Sequence, residues 1–396
     1  MVRGRVLVIV TALVLAGCVA NPTPAPTAVP TDGPPLPTAT PAPQSPTTTQ
    51  TATPAPTATP PPSITPSPVP PSPTLSPTPD IFEGLAIPDL RAREYGTEGE
   101  VRLDHVLVDN PDFTRYYITY PSDGPSTGSG QRLTISGMMN VPKGEGPFPI
   151  VILNHGYINP SRYWTGAGSH SAADYLARRG YITISPDYRG YGTSDDGPNP
   201  FRKGLVIDVL NLVELVNTIP KADPERIAMW GHSMGGGIAK EVMVISDKVD
   251  AFALYGAMSD DAAENWSHIR TMWNKQAMDR LADKYASPSQ DPEGFARMSP
   301  RYYLENVTAP VIIHHGTRDT QVPIEWSKRL AADLETLGKT VELHIYEGQP
   351  HSFQGDAWVT FMQRTKEFFD KHLNGEHRGP NKRARKPEHL KEDNGL

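Results

Sequence analysis

From residue 149 onward, short apolar runs alternate with stretches whose apolar residues recur at helical spacing. "PIVILNHG" (149–156) is apolar, rich in β-branched residues and closed by glycine, which predicts a buried strand. "SHSAADYLARRG" (169–180) predicts a helix that stops at its glycine. "YITISPD" reads as a strand again. "FRKGLVIDVLNLVELVNTI" (201–219) sets Leu205, Val209, Leu212, Val213 and Val216 on one helical face. "RIAMWGHS" predicts a strand and "GGGIAKEVMVI" opens a helix. "AFALYGA", "APVIIHHG" and "TVELHIY" are three further strands, with helices in "EWSKRLAADLETLG" and "AWVTFMQRTKEFFDKHL". Upstream, "RYYITYPSDG" and "RLTISGMMNVP" predict a hairpin that begins the same sheet. Strand–helix alternation at this spacing predicts an α/β fold, a mostly parallel sheet with helices on both faces.

Composition divides the rest of the chain. Many of the 43 prolines fall in the stretch up to residue 80, among Thr, Ala and Ser. Such a stretch has too little apolar surface to offset the entropy of ordering it. Residues 19–80 therefore read as a solvated polyproline-like spacer, whose proline-rich part from about 21 to 79 would reach on the order of 150–180 Å at about 3.1 Å per residue. Residues 81–375 have the size of one large α/β domain. The basic cluster in residues 376–396 reads as a solvated tail, with contact to an anionic surface as the alternative. The net charge of −7 is mild and gives no reason to expect nucleic acid as a partner.

Residues 1–18 are a separate unit. Arg3 and Arg5 precede an apolar run that meets small residues, the layout of an export signal, with an uncleaved membrane anchor as the alternative. The single cysteine, Cys18, ends that run. "LAGC" resembles the lipobox of bacterial lipoproteins, which implies lipidation at Cys18 and an exported domain tethered to the membrane on its outer side. One cysteine permits no intrachain disulfide and no thiolate-rich metal site.

The chemistry centres on "GHSMGGG" (231–237), at a predicted strand-to-helix turn. A phosphate loop would need a lysine directly after its last glycine, but Lys240 comes too late, inside the helix. A dinucleotide-binding turn would need G-x-G-x-x-G, which is also missing. What is present is G-x-S-x-G, with Gly231, Ser233 and Gly235. That pattern presents a serine on a tight turn as a nucleophile. A serine hydroxyl needs a base, and the base needs a group that fixes its tautomer. After "APVIIHHG" comes "TRDTQVP" with Asp319, and after "TVELHIY" comes "EGQPHSF" with His351. Three strand ends thus offer Ser233, Asp319 and His351 in the order nucleophile, acid, base. Asp260 and Asp261, after "AFALYGAMS", compete by position for the role of acid. His232, His314, His315 and His344 read as packing or loop support. An oxyanion needs backbone N–H donors, which points to Met234 after the nucleophile and Tyr157 in "NHGY", where Gly156 lets the backbone approach.

"HGY", "DYRGYGTS", "GHSMGGG", "HGTRDTQVP" and "GQPHSF" together resemble the α/β-hydrolase superfamily. The similarity is to the catalytic domain of the prolyl oligopeptidase family and its dienelactone hydrolase and acetyl xylan esterase relatives. The resemblance implies a Ser233–Asp319–His351 triad with no cofactor and no metal, and a structural role for Asp187 and Arg189. It implies acyl transfer through Ser233 on a small ester or a short or acylated peptide. An ester is favoured, because an oligopeptidase propeller takes at least four blades of about 40 residues, which residues 81–145 cannot supply. A non-catalytic surface-binding module is the remaining alternative. The insertion at about 258–308 predicts a small helical cap. In it Ile269, Met272, Trp273, Ala277 and Leu281 form one helical stripe, which either packs on the core or lines the substrate pocket through Trp266 or Trp273. No feature specifies an oligomeric state.

Overall fold

The computed structural model describes residues 80–96, 99–123 and 132–374. The expected export signal, Cys18, nearly all of the Pro/Thr-rich stretch and the basic tail lie outside the described residues. The chain order is α1 (Ile87–Ala92), β1 (Arg102–Asp109), β2 (Phe113–Asp123), β3 (Arg132–Pro142), β4 (Phe148–Asn154), α2 (His170–Ala177) and β5 (Ile182–Pro186). Next come α3 (Lys203–Leu215), β6 (Ala222–His232), α4 (Met234–Ile245) and β7 (Ala251–Tyr255). Three helices then form the cap: α5 (Ala262–Met272), α6 (Lys275–Tyr285) and α7 (Pro292–Arg297). The described chain closes with β8 (Val311–Gly316), α8 (Ile324–Thr336), β9 (Val341–Tyr346) and α9 (Gly355–Asn374).

The strands form one sheet in the order β1-β2-β3-β5-β4-β6-β7-β8-β9. β1, β2, β3 and β5 pair antiparallel in sequence of position, and β5, β4, β6, β7, β8 and β9 pair parallel. The fold is that of an α/β hydrolase. Side chains alternate between the two faces along each central strand. Ile150 and Ile152 of β4, with Ile227 and Met229 of β6, pack in the core shared with α3, α4 and α8. Val151, Leu153, Ala228 and Trp230 point the other way, into the core shared with α2 and α9. Burial on both faces explains why these strands read as continuous apolar runs.

Three local readings need correction. β1 was not expected. It is an edge strand, exposed along most of its length and broken by two register shifts, so it carries no alternation to detect. The stripe in residues 265–285 was expected on one helix, but α5 ends at Met272. Asn274 caps α6 instead, accepting a hydrogen bond from Ala277 N–H at 2.9 Å. Finally, α3 is buried on nearly every side rather than on one face. Its Asp208 is fully buried against the Arg189 guanidinium at 2.7 Å, and Arg189 also donates to the Pro198 carbonyl at 2.9 Å.

The chain leaves β4 toward β5 and leaves β6 toward β7 on the opposite side. A crevice opens at the carboxyl ends of strands where connections diverge in this way. The loops after β4 and β6 carry Tyr157 and Ser233 to that crevice.

Candidate active site

Ser233 stands between β6 and α4 with φ 54° and ψ −116°, a left-handed conformation that costs a non-glycine residue roughly 1–3 kcal/mol. The turn is overdetermined. Ser233 N–H donates to the Tyr255 carbonyl at 2.9 Å, and the Ser233 carbonyl accepts from Gly237 and Met258 N–H, each at 3.1 Å. Glycine is required on both sides. A Cβ on Gly231 would lie 2.4 Å from the Gly235 carbonyl oxygen, and one on Gly235 would lie 2.0 Å from the Asn154 oxygen. β4, the turn and α4 are therefore in backbone contact, which explains the glycines as packing requirements rather than a phosphate cradle.

His351, after β9, meets Asp319, after β8, with Nδ1 to Oδ2 at 2.7 Å. A carboxylate accepts only, so His351 Nδ1 carries the proton and its Nε2 is left as a free base in the neutral ring. Asp319 Oδ1 accepts from the Gln321 and Val322 N–H groups at 2.8 and 2.9 Å. Burial opposes ionisation of Asp319. Hydrogen bonds from His315, His351 and the Val322 N–H outweigh it and hold the carboxyl well below the ordinary range. Asp260 and Asp261 do not touch His351. Asp260 is fully buried with Arg329 Nη2 at 3.6 Å, and Asp261 caps α5 by accepting from Ala263 and Glu264 N–H.

The histidines read as packing have more specific contacts. His315 Nε2 faces Asp319 Oδ2 at 3.2 Å and the Val322 carbonyl at 3.1 Å, while its Nδ1 meets the Ser327 hydroxyl at 2.7 Å. Two acceptors at Nε2 require the proton there, and the serine hydroxyl then donates to Nδ1. His232 Nε2 meets the His351 carbonyl at 3.1 Å, and its ring stacks on Tyr255 at 4.3 Å. Burial and the neighbouring His351 push its pKa down to about 3, so it stays neutral and donates that bond. His314 is fully buried, with Nδ1 3.0 Å from the Tyr346 hydroxyl.

The β4 loop is braced by His155, which the sequence analysis did not single out. His155 is buried beside Tyr188, with ring centroids 4.5 Å apart, and its Nδ1 donates to the Gly156 carbonyl at 2.7 Å. Asp187 accepts from Ser136, Tyr163 and Thr165 hydroxyls at 2.7–2.8 Å, a structural role for that turn. A Cβ on Gly156 would lie 3.2 Å from Ser233 Cβ, so the loop backbone presses against the turn that bears the serine. Met234 is the first residue of α4, where N–H groups have no helical partner.

Ser233, His351, Tyr157 and Met234 line one cavity of about 720 Å³. Its other wall is the cap: Ile269, Met272, Trp273, Ala277 and Met278, with Met258 at the base. The stripe thus faces the cavity for most of its length. Trp266 does not line it. It borders a smaller chamber of about 280 Å³ and packs on the cluster of Phe82, Leu85, Phe295 and Met298.

Comparison with known proteins agrees with this architecture. The model of the prolyl oligopeptidase family matches residues 168–376, more than half of the chain. The chain belongs to that family. Among curated relatives of this family member, an uncharacterized peptidase of Bacillus subtilis is 26% identical over 181 residues, which are 45% of this chain and 67% of the relative. A lysophosphatidylserine lipase of Danio rerio is 27% identical over 212 residues, 52% of each chain. Among solved structures, the acylaminoacyl peptidase of Pyrococcus horikoshii superposes with a TM-score of 0.52 at 22% identity, covering 68% of this chain and 43% of that one. An acetyl xylan esterase from a Paenibacillus species gives a TM-score of 0.53 at 18% identity, covering 71% of this chain and 91% of that one. The chain thus spans about half the length of the lipase and less than half that of the acylaminoacyl peptidase. These similarities fit a serine hydrolase, with esterases and peptidases both among the neighbours.

Proposed function

We propose that this protein is a serine esterase in which Ser233 is the nucleophile, His351 the general base and Asp319 the group that orients it. The single observation that carries the reading is the 2.7 Å contact of Asp319 Oδ2 with His351 Nδ1, beside a cavity that the strained Ser233 shares with His351. His351 Nε2 takes the Ser233 proton as Oγ bonds to the carbonyl carbon. The oxyanion that forms is held by the Met234 and Tyr157 N–H groups. The imidazolium, stabilised by Asp319, then protonates the leaving alkoxide as the ester C–O bond breaks. Water, deprotonated by the same Nε2, hydrolyses the acyl-enzyme and restores Ser233.

The apolar cap wall supports an ester with a hydrophobic acyl chain, since a pocket lined by Ile, Met and Trp gains from burying methylenes. The described residues between 102 and 142 supply three strands to the sheet edge rather than blades of a gating propeller. Hydrolysis of a short or acylated peptide is the second reading, favoured by membership in a peptidase family and by the acylaminoacyl peptidase among the neighbours. The test is labelling by a fluorophosphonate probe, followed by a screen of acyl esters against acylated aminoacyl amides and dipeptides. Labelling that vanishes in Ser233→Ala, with esters turned over faster than amides, is the expected result. A Ser233→Ala protein that keeps most of its activity would end the reading. We further propose, on the sequence of residues 1–80 alone, that the domain acts outside the membrane on a tether lipidated at Cys18. Cys18→Ser should then release an active domain from the membrane fraction, and retention there would favour an uncleaved anchor.

A further inference from the structure

Arg202 carries the only permanent charge among the described residues that line the catalytic cavity. It also lines the smaller chamber, where the other charges, Lys203 and Glu241, pair with each other at 2.6 Å. The Arg202 guanidinium itself has no hydrogen bond or ion pair among the described residues. A charge so placed is partly stripped of water with Glu241 and Tyr191 near it but no group in direct contact, an arrangement that a bound anion would complete. Burial lowers its pKa, while Tyr191 and Glu241 act in the opposite direction. An arginine in water-poor surroundings stays protonated, so it meets anions as a planar, two-pronged donor.

The backbone holds this side chain at the cavity by force. Phe201 and Arg202 are consecutive non-glycine residues in the left-handed region, with φ 50° and 65°. Such strain persists only where packing overdetermines it. Here the Phe201 ring is locked among Phe82, Phe295 and Tyr285 at centroid distances of 5.4–5.7 Å. Tyr285 belongs to the cap, so the same cluster fixes the cap and the residue beside Arg202. α3 starts at the next residue with no side chain capping it, which adds positive potential on the same side.

We propose that Arg202 anchors an anionic group of the substrate, so that the preferred substrate is amphiphilic: an apolar chain against the cap and a carboxylate or phosphate on the guanidinium. This inference rests on the Ser233 hydrolase reading and narrows its substrate class.

The test uses p-nitrophenyl monoesters of dicarboxylic acids from succinic to suberic, each compared with its methyl-capped neutral counterpart. The expected result is a charged-to-neutral ratio in kcat/KM of about tenfold or more for the best chain length, seated mainly in KM and weakened by salt. Arg202→Met should bring that ratio close to one, and Arg202→Lys should restore part of it. A merely structural role would lower both esters together and leave the ratio unmoved, which would overturn the proposal. Protection of Ser233 from the fluorophosphonate probe by octanoate, octyl phosphate and octanol separates the anion types. Equal protection by all three would also overturn it. Should Arg202→Met not fold, the salt dependence and the protection assay on the wild type decide. Turnover of neutral esters without charge preference would sink this inference alone, whereas loss of both turnover and labelling would sink the hydrolase reading with it.

Discussion

The Asp319 oxygen that faces His351 at 2.7 Å also lies 3.2 Å from His315 Nε2. His315 is in turn pinned by Ser327 on α8, so the orientation of Asp319 is set by the strand end before it and the helix after it. Together with the Gln321 and Val322 N–H groups, this fixes the carboxylate before any substrate arrives. Such preorganisation is what an orienting acid needs, because its role is to hold one tautomer and stabilise the imidazolium.

The first prediction follows directly. Asp319→Asn keeps the shape but puts an amide opposite Nδ1, which favours the wrong tautomer. We expect kcat to fall by roughly 10⁴-fold, as in a well-studied triad. Asp260→Asn and Asp261→Asn, measured in folded protein, should stay within about tenfold, equivalent to about 1.4 kcal/mol on the barrier. The reverse pattern would move the orienting acid to the base of the cap.

A second prediction concerns acid. His155, His232 and His314 are held neutral by burial, which depresses their folded pKa values below those of the unfolded chain. The unfolded state therefore binds more protons as the pH drops below about 6.5, and stability must fall with pH from there downward. His232, with its pKa at about 3, contributes throughout that interval. Asp319 adds a loss at lower pH, below about 4, because its carboxylate is stabilised only in the folded state. Urea titrations from pH 8 to 5 should show the decline, and His232→Phe should flatten it. A stability that holds level over this range would contradict the neutral assignments.

The third prediction tests the scaffold under the Arg202 loop. Arg189→Met leaves Asp208 buried on α3 without its counter-charge. Breaking one side of a buried pair costs about 3–5 kcal/mol, so the urea midpoint should drop sharply. A change within about 0.5 kcal/mol, the range of ordinary surface substitutions, would mean that the pair is not closed in solution.

The fourth concerns the cap. Trp273→Ala removes an indole from the cavity wall while leaving Ser233 and His351 untouched. The ratio of kcat/KM for an octanoyl ester over an acetyl ester should fall by about tenfold, the equivalent of about 1.4 kcal/mol. Trp266→Ala, behind the smaller chamber, should change that ratio much less. Equal loss on both esters after Trp273→Ala would assign the indole to packing instead.

Much of this protein was legible in the order of its residues because the signals are local. The buried strands from β4 onward announce themselves as apolar runs, since both faces of the sheet are covered. The Ser233 turn is written in adjacent glycines whose missing Cβ atoms leave room for the Asn154 and Gly235 carbonyls. Other features had no local signal. β1 is exposed at the sheet edge and shows no alternation. α5 and α6 read as one stripe because a cap at Asn274 breaks the helix without breaking its apolar period. Which of three aspartates meets His351 could be ranked from sequence order, but contact depends on β8 and β9 lying side by side. His155 gained its role from Asp187 and Tyr188, remote in the chain, and His315 from the way the loop after β8 and the start of α8 fold back on it. Arg202 is the clearest case: in sequence it is one basic residue at the start of a predicted helical stretch, next to Lys203. Only the packed structure pairs Lys203 with Glu241, locks Phe201 into an aromatic cluster and leaves Arg202 facing the cavity. Periodicity and turn chemistry act between residues a few positions apart and are therefore readable along the chain. Charge compensation and cavity walls depend on distances that exist only once the sheet, α3 and the cap have packed together.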